Sequence, residues 1–227
     1  MSAEEQKRVA AEAAVALVEP GMVVGLGTGS TAAYAIDALI RRVAAGLDIV
    51  AIPTSERSAA QALAGGIRLT DFAENPEVDL TIDGADEISP GLDLVKGLGG
   101  ALLREKIVAA ASRRLVIVAD DSKLVPRLGS KAPVPVEVVP FGWQSTAARL
   151  VQLGAHPTLR ESADGKPFRT DGGNLILDCA FHPIADPAAL ELAIARVVGV
   201  VESGLFIGMA NLALVAGAAG VRRLERT

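Results

Sequence analysis

The sequence predicts an α/β protein, with a Rossmann-like, mostly parallel sheet and a smaller α+β domain inserted near its C-terminal half. In the first half, short apolar segments alternate with helical segments of roughly 10–15 residues, a pattern typical of parallel strands joined by helices. Half of the 227 residues are hydrophobic and only 3% are aromatic. Aliphatic side chains therefore fill the core, as they do in parallel sheets covered on both faces.

The first half supplies the elements of the main sheet in alternating order. Ser2 and Glu5 form a Ser-x-x-Glu capping box, which predicts a helix at the N-terminus. Pro20 stops that helix, and glycines at 46 and 65 stop the next two. The predicted elements are a helix to about residue 19, a strand over 22–26, a helix over 32–45, a strand over 48–52, a helix over 55–64, a strand over 78–82, a helix over 101–112 and a strand over 115–119.

A change of character near Gly129 marks the second domain. Prolines at 133, 135 and 140 interrupt a strand over 132–140, and proline at this density favours an edge strand or a linker. We expect a strand over 212–216 to return to the main sheet. The predicted domains are therefore 1–129 with 206–227, and 130–205. The other elements predicted here are a helix over 144–153, a hairpin of 168–170 with 174–180, and a helix over 187–197.

The composition argues against several classes of protein. The formal net charge is −5 and no basic tract occurs, whereas nucleic-acid binding depends on a cationic surface. The longest uncharged apolar stretch, 212–221, is far shorter than the ~18 residues of a membrane span. Cys179 is the only cysteine and cannot form an intrachain disulfide, which fits a reducing compartment. We therefore expect a cytoplasmic protein with neither a nucleic-acid nor a membrane partner.

A glycine-rich loop over 25–31 lies where the first predicted strand meets a helix. Glycines let backbone amides approach an anion, and a helix N-terminus adds a positive dipole. The loop differs from a dinucleotide fingerprint, because Ser30 replaces the third glycine and no acidic residue follows the second strand. It therefore favours the single phosphate group of a small ligand, with a plain tight turn as the alternative. Thr54 and Ser55 lie at the same predicted edge, either as site hydroxyls or as a helix cap.

Charged side chains are concentrated among glycines between residues 83 and 106. Asp83 ends a predicted buried strand, Lys96 precedes a second glycine loop, and Glu105 lies early in the next helix. A carboxylate base, a cation beside backbone amides and a second acid suit proton abstraction next to a carbonyl group. Turn-capping and helix-end roles are the alternatives for these carboxylates.

These segments resemble the ribose-5-phosphate isomerases of the A type. The similarity includes 25–31, 83–88, 96–106, 120–123 and 135–138, and it covers nearly the whole chain. The resemblance implies an enzyme of the pentose phosphate pathway that interconverts ribose 5-phosphate and ribulose 5-phosphate without a metal or organic cofactor. It also implies a homodimer or a homotetramer.

The resemblance assigns roles to individual residues. Glu105 would carry a proton between C2 and C1 through an enediolate, Asp83 would assist ring opening, and Lys96 with nearby amides would stabilise the enediolate. Leu98 stands where the family commonly has a glycine, which predicts a less flexible loop. The implied substrate contacts are Thr28, Gly29, Ser30, Thr31, Asp83, Gly84, Ala85, Asp86, Lys96, Gly97, Leu98, Gly99 and Lys123.

A non-catalytic sugar-phosphate sensor is the alternative from another class. It predicts a pair of DNA-binding helices before the glycine loop, whereas a single predicted helix precedes Val23. A nicotinamide dehydrogenase would need the acidic strand end that the sequence lacks. We expect Cys179 to be a core residue and His156 and His182 to be structural or surface residues. Trp143 is expected to anchor the inserted domain or to form a subunit contact.

Overall fold

The computed structural model describes residues 1–226, which form two compact units. The first unit contains Met1–Ala85, Arg104–Lys123 and the chain from Met209 onward, and the second contains Asp86–Leu103 and Leu124–Gly208. The helices are α1 (Ala3–Val15), α2 (Ser30–Ala44), α3 (Glu56–Ala64), α4 (Leu102–Ala110), α5 (Trp143–Gln152) and α6 (Pro187–Ala195). The strands are β1 (Val23–Leu26), β2 (Val50–Pro53), β3 (Arg68–Leu69), β4 (Leu80–Asp83), β5 (Glu87–Ile88), β6 (Leu94–Val95), β7 (Leu115–Asp120), β8 (Val134–Val138), β9 (His156–Leu159), β10 (Leu175–Ala180), β11 (Val200–Ser203), β12 (Leu205–Phe206), β13 (Leu212–Gly217) and β14 (Gly220–Glu225).

The first unit is built on a seven-stranded sheet in the order β14-β13-β7-β4-β1-β2-β3. Neighbouring strands are parallel except for β13 and β14, which are antiparallel. β4 and β7 are buried along their whole length, as expected for strands covered on both faces. The mostly parallel sheet confirms the predicted α/β fold class, and β13 returns to this sheet as predicted.

The strand order reverses between β1 and β4. From β1 the chain proceeds outward through β2 to β3, and then it returns to β4 on the other side of β1 and continues to β7. Leu26 pairs with Ile82, so the residues that follow these two positions lie side by side. Ligands of open parallel sheets bind at such a switch point, beyond the carboxyl ends of the strands. The glycine loop and Asp83 both lie there.

Helix α1 ends earlier than predicted, at Val15 rather than near Glu19. The guanidinium of Arg42 donates to the carbonyls of Val15 (2.6 Å) and Val18 (2.9 Å), and so it satisfies acceptors at the end of the helix. At the other end the Ser2 hydroxyl accepts from the Glu5 N–H at 3.2 Å, which is half of the predicted capping box.

Strand β14 was not predicted. Its side chains are mostly exposed, so the sequence lacks the apolar run that marks the other strands of this sheet. The strand forms because every residue of β13 has an antiparallel partner in β14, from Leu212–Glu225 to Gly217–Gly220. Backbone pairing at a sheet edge needs no apolar side chain, and charged residues suit an exposed edge.

The second unit contains a four-stranded antiparallel sheet, β11-β8-β10-β9, and a three-stranded sheet, β12-β6-β5. The prediction that the proline-rich segment is an edge strand or a linker is wrong, because β8 lies between β11 and β10. Pro135 is tolerated because the β11 ladder ends at the pair Ser203–Val136. The missing N–H of Pro135 therefore removes no hydrogen bond of that ladder.

The predicted hairpin of 168–170 with 174–180 forms only at its tip, where the Thr170 N–H donates to the Asn174 carbonyl at 3.0 Å. The tight turn is present, since the Gly173 N–H donates to the Thr170 carbonyl at 2.8 Å. However, β10 pairs with β8 and β9 instead of with 168–170. The Thr170 hydroxyl and the Asn174 amide each donate to the buried Glu137 carboxylate at 2.9 Å. Side chains, and not a strand ladder, thus hold this turn to β8.

The second unit extends beyond the predicted limits of 130 and 205. Residues 86–103 belong to it because β5 pairs with β6 and β6 pairs with β12. Residues 124–129 belong to it because the Val125 N–H donates to the Ile88 carbonyl at 3.0 Å and the Gly129 N–H donates to the Glu87 carboxylate at 2.6 Å. Pairings between such distant segments leave no mark in the local sequence.

Cys179 is fully buried in β10. Desolvation, together with the nearby charge of Asp178, raises the pKa of its thiol to about 12. Because the thiolate is the nucleophilic form of cysteine, this residue is part of the core and unsuited to covalent catalysis. Residues 1–226 include no helix with the length and apolar character that crossing a membrane requires.

We predict that Glu87→Gln destabilises the protein. The buried Glu87 carboxylate accepts N–H groups from Gly129 (2.6 Å), Lys131 (2.5 Å) and Ala132 (2.8 Å). Glutamine has a single acceptor oxygen, so at least one of these part-buried N–H groups loses its partner, at a cost of about 1–3 kcal/mol. Urea unfolding should show this loss, whereas Glu161→Gln, at an exposed position of the same unit, should leave the free energy of unfolding unchanged. Equal stabilities of the two variants would contradict the anchoring role of Glu87.

Candidate active site

Asp83 lies at the carboxyl end of β4 and is buried. Its Oδ1 accepts the Thr28 N–H at 3.1 Å and the Gly84 N–H at 2.7 Å. Gly27 makes this approach possible, because a Cβ at that position would lie 2.2 Å from Asp83 Oδ1. The glycine loop after β1 and the carboxylate after β4 are therefore held together at the switch point of the sheet.

A chain of buried hydroxyl groups supports the glycine loop from below. The Thr28 hydroxyl donates to Ser55 (2.8 Å), the Ser55 hydroxyl donates to Ser58 (3.0 Å), and the Ser58 hydroxyl donates to the Gly27 carbonyl (2.7 Å). Ser55 is also the N-cap of α3, since its side chain accepts the Ser58 N–H. The helix-cap alternative for Ser55 is thus confirmed, and its hydroxyl also supports the glycine loop. The role of Ser58 was not predicted, and its i, i+3 spacing from Ser55 is the feature of the sequence that indicates it.

The N-terminus of α2 follows directly from this loop. Gly29 is the N-cap residue, with a φ of 115° that favours glycine, and it provides no side-chain cap. No side chain at the N-cap position accepts a hydrogen bond from the first N–H groups of the helix. These N–H groups form the positive end of the helix dipole. Ser30 is exposed at this end, whereas Thr31 is buried.

Glu105 lies in the first turn of α4, and its side chain is 3% exposed. One turn later Val108 packs so closely over β1 that a Cβ on Gly25 would lie 2.8 Å from its side chain. Residues three apart share a helix face, so Glu105 is on the sheet side of α4. Because α4 leads into the parallel strand β7, it runs opposite to the strands. Its N-terminal turn is therefore at the carboxyl edge of the sheet.

The other predicted contacts of the first unit lie beyond the ends of β4 and β7. Gly84 and Ala85 are half-buried and follow Asp83 directly. Lys123 is also half-buried and ends a single 3₁₀ turn, Asp121–Lys123, after β7. The Asp120 carboxylate accepts the Ser122 N–H at 3.0 Å, which fixes the start of that turn.

The second glycine loop belongs to the second unit. Lys96 is buried, its N–H donates to the Gly204 carbonyl at 2.9 Å, and its ammonium lies 5.3 Å from the centre of the Phe206 ring. Gly97 has a φ of 106°, and a Cβ there would lie 2.8 Å from the side chain of Leu102. The loop therefore needs glycine at this position both for its backbone and for space.

Leu98 is accommodated without backbone strain. Leu92 is the one non-glycine residue of positive φ among residues 1–226, so Leu98 has an ordinary backbone conformation. Its N–H donates to Asp86 Oδ2 at 2.9 Å. Because the Leu98 N–H is already bound to Asp86, it is less suited to stabilise an oxyanion than the N–H groups of Gly97 and Gly99. Sequence reasoning had no means of detecting the bond to Asp86.

The donor chemistry of the site suits acid/base catalysis. The first unit brings Thr28, Gly29, Asp83 and Gly84 together, with Glu105 and Lys123 at the same edge of the sheet. The second unit brings Asp86 and Leu98 together. Among residues 1–226, histidine, cysteine and acidic residues form no group of three or more that is arranged to hold a metal ion.

Comparison with known proteins decides the family. The family model described as ribose 5-phosphate isomerase A (phosphoriboisomerase A) matches residues 50–220. A ribose-5-phosphate isomerase A from Gloeobacter violaceus is 63% identical over 219 residues, which cover 96% of this chain and 95% of that protein. The chain belongs to the ribose 5-phosphate isomerase A family.

Other members of the ribose 5-phosphate isomerase A family agree in sequence and in fold. The isomerase A of Synechococcus sp. is 54% identical, with coverage of 100% of this chain and 99% of that protein. The structure of ribose 5-phosphate isomerase A from Methanocaldococcus jannaschii has a TM-score of 0.94 at 40% identity and covers 99% of this chain and 100% of its own. A D-ribose-5-phosphate isomerase solved in complex with phospho-erythronic acid has a TM-score of 0.97 at 38% identity over the whole of both chains. None of these relatives supports the sensor alternative.

We predict that Gly27→Ala lowers kcat by about 10²-fold, the order expected when a catalytic group is misplaced by about 1 Å. The added methyl group would overlap Asp83 Oδ1, so the carboxylate must rotate or β1 and β4 must separate. Steady-state formation of ribulose 5-phosphate measures the effect. Gly91→Ala is the matched control, because Gly91 has open space around it and no positive φ. An active Gly27→Ala enzyme would show that the contact between Gly27 and Asp83 does not matter for catalysis.

Proposed function

We propose that Glu105 is the acid/base with which this ribose-5-phosphate isomerase interconverts D-ribose 5-phosphate and D-ribulose 5-phosphate. One observation carries the proposal: a buried carboxylate lies in the first turn of α4, at the same edge of the sheet as Asp83 and the glycine loop. An effective catalytic base is held on a rigid element in a site that excludes water. Glu105 meets both requirements.

In the proposed reaction Glu105 removes the C2 proton from the open-chain aldose. The electrons of the C–H bond form the enediolate, and the same carboxyl group then returns the proton to C1 to give the ketose. A proton also moves from the O2 hydroxyl to the O1 oxygen, so that atoms and charge balance. We assign ring opening and this transfer between oxygens to Asp83, whose Oδ1 is fixed by two backbone N–H groups.

The phosphate group is proposed to bind at the N-terminus of α2. The amides of this turn, the helix dipole and the hydroxyls of Ser30 and Thr31 offer donors and positive potential to an anion. The hydroxyl chain that starts at Thr28 keeps the loop in one conformation, which lowers the entropy cost of binding. A phosphorylated four-carbon acid is bound by one solved relative, in accord with a small sugar phosphate as the ligand.

The second glycine loop is proposed to stabilise the enediolate. The Lys96 ammonium supplies positive charge, and the Gly97 and Gly99 amides supply N–H donors of the kind that stabilise an oxyanion. The Leu98 amide is assigned to Asp86 rather than to the substrate. Gly84, Ala85, Asp86 and Lys123 remain proposed substrate contacts, and no cofactor is included.

The proposal also includes a cytoplasmic homodimer or homotetramer. Multi-angle light scattering of the purified protein distinguishes the two assemblies, and a monomeric mass would exclude both.

We predict that Glu105→Gln lowers kcat by about 10²–10⁴-fold, because the amide cannot accept the C2 proton. Conversion of ribose 5-phosphate should be assayed with EDTA present, and thermal unfolding should show that the variant is folded. Glu5→Gln is the matched control, since Glu5 also lies in the first turn of a helix of this unit but is exposed. A loss of less than tenfold in Glu105→Gln would remove Glu105 from the mechanism.

We predict that alanine at both Ser30 and Thr31 weakens binding of phospho-erythronic acid by about 10–100-fold, as expected when hydrogen bonds to a charged group are lost. Calorimetric titration with erythronic acid, which lacks the phosphate, should show no such change. Ser145→Ala is the control, because Ser145 lies in the first turn of α5, another helix with a glycine N-cap. Equal losses for both ligands would contradict the phosphate assignment.

A further inference from the structure

We propose that Arg160 is a positioning residue for the isomerisation, because it fixes the peptide groups of the 97–99 loop and thereby directs the Gly99 N–H. The inference rests on the proposed role of this loop in stabilising the enediolate. It concerns residues of the second unit alone and adds Arg160, Asp178 and Phe168 to those that determine activity.

The guanidinium of Arg160 links a sheet strand to the loop. Its Nε donates to Asp178 Oδ2 at 2.9 Å, and its Nη2 donates to Asp178 Oδ1. Its Nη1 donates to the carbonyls of Gly97 (2.9 Å) and Leu98 (3.1 Å). The Arg160 side chain is only 12% exposed and that of Asp178 only 22%. Bidentate pairs of this kind fix the plane of the guanidinium, so its Nη1 is held against the loop.

The antiparallel sheet places both partners of this pair. Asp178 lies in β10 and faces Thr158 of β9. Arg160 comes two residues after Thr158, and its N–H continues the ladder by donating to the Ile176 carbonyl at 2.9 Å. Because side chains alternate between the faces of a strand, residues 158, 160 and 178 share one face. The guanidinium is therefore anchored to rigid backbone on both sides.

Arg160 sets the direction of two consecutive peptide groups. In a trans peptide the C=O and N–H bonds point in opposite directions, and residues 1–226 contain no cis peptide bond. The Gly97 carbonyl points to Arg160, and the Leu98 N–H of the same peptide donates to Asp86 on the other side. The Leu98 carbonyl also points to Arg160, so the Gly99 N–H points away from it.

Phe168 constrains the far end of the loop through the same arginine. Its N–H donates to the Arg160 carbonyl at 2.8 Å, and its ring centre lies 5.9 Å from the guanidinium carbon of Arg160. A Cβ on Gly100 would lie 2.5 Å from the edge of this ring. The loop thus needs glycine at 100 because the Phe168 ring occupies the adjacent space.

Loss of the Arg160 hydrogen bonds would release a loop rich in glycine. Glycine adopts many backbone conformations at little cost. The Leu98–Gly99 peptide could therefore rotate and turn the Gly99 N–H away from the enediolate oxygen. Removal of one oxyanion donor lowers kcat by about 10²–10³-fold in known enzymes. Partial occupancy of the correct conformation would give a smaller loss. Substrate binding through the phosphate would be retained, so KM should change little.

The test compares Arg160→Met with Arg169→Met in the full-length enzyme. Arg169 also donates from Nη1 to a loop carbonyl, that of Gly173 at 2.9 Å, but in an exposed turn of the same unit. We expect Arg160→Met to lower kcat by about 10–100-fold with KM within about threefold, by the oxyanion argument. Arg169→Met should have the parent kcat. Asp178→Asn should reproduce part of the loss, because it weakens the hold on the guanidinium.

Chemical rescue separates positioning from general stability. In Arg160→Ala, added ethylguanidinium should raise kcat severalfold without raising the melting temperature, whereas ethylammonium at the same concentration should not. A parent-like kcat in Arg160→Met would overturn the proposal. So would a loss of kcat that follows the melting temperature and is not rescued by ethylguanidinium. If Arg160→Met does not fold, Asp178→Asn with a parent-like kcat would overturn it as well. An active Glu105→Gln enzyme would instead indicate failure of the proposed function, so the two failures are distinguishable.

Discussion

The close approach of Gly27 to Asp83 is the constraint on which the first unit depends. A side chain at 27 would overlap the carboxylate. Because glycine has none, the ends of β1 and β4 can come together and Asp83 can accept the Thr28 N–H. That bond fixes the loop from which α2 starts. The hydroxyl chain through Ser55 and Ser58 then supports the same loop from α3. Glycine at position 27 thus allows the Asp83 carboxylate, the N-terminus of α2 and three hydroxyl groups to contact or support one loop.

Buried and half-buried carboxylates have a corresponding role in the second unit. Glu87 accepts three backbone N–H groups of the 129–132 segment, Glu137 holds the 170–174 turn, and Asp178 holds Arg160. Burial of a charge is costly unless hydrogen bonds compensate it. In each case the compensating donors come from a loop or from the arginine that binds a loop. The hydrogen bonds that compensate the buried charge therefore hold each loop in one conformation. Irregular backbone without such bonds could adopt several.

The chemistry of the isomerase follows from these two ways of fixing backbone. The reaction moves protons and needs no group transfer to the enzyme. The buried Cys179 thiol, with its raised pKa, is accordingly no nucleophile. Carboxylates, which suit proton transfer, lie at the carboxyl edge of the sheet. In the proposed mechanism the glycine loops supply N–H donors, and the value of each donor depends on how firmly its amide is directed. Leu98 is compatible with this role because its amide is engaged by Asp86 and its backbone is unstrained.

Periodicity, caps and motifs are local properties of the chain, and they were enough to predict the fold class, most helices and parallel strands, and the family. Asp83, Lys96 and Glu105 could be identified as candidates since each lies beside glycines at a predicted strand or helix end. The three-dimensional fold was needed to show that β8 is an inner strand, that β14 pairs with β13, and that 86–103 belongs to the second unit. It also decided which loop amides are engaged and that Arg160 holds the loop from 62 or 63 residues away. These features depend on hydrogen bonds between distant segments, and such bonds have no signature in the residues on either side of each partner.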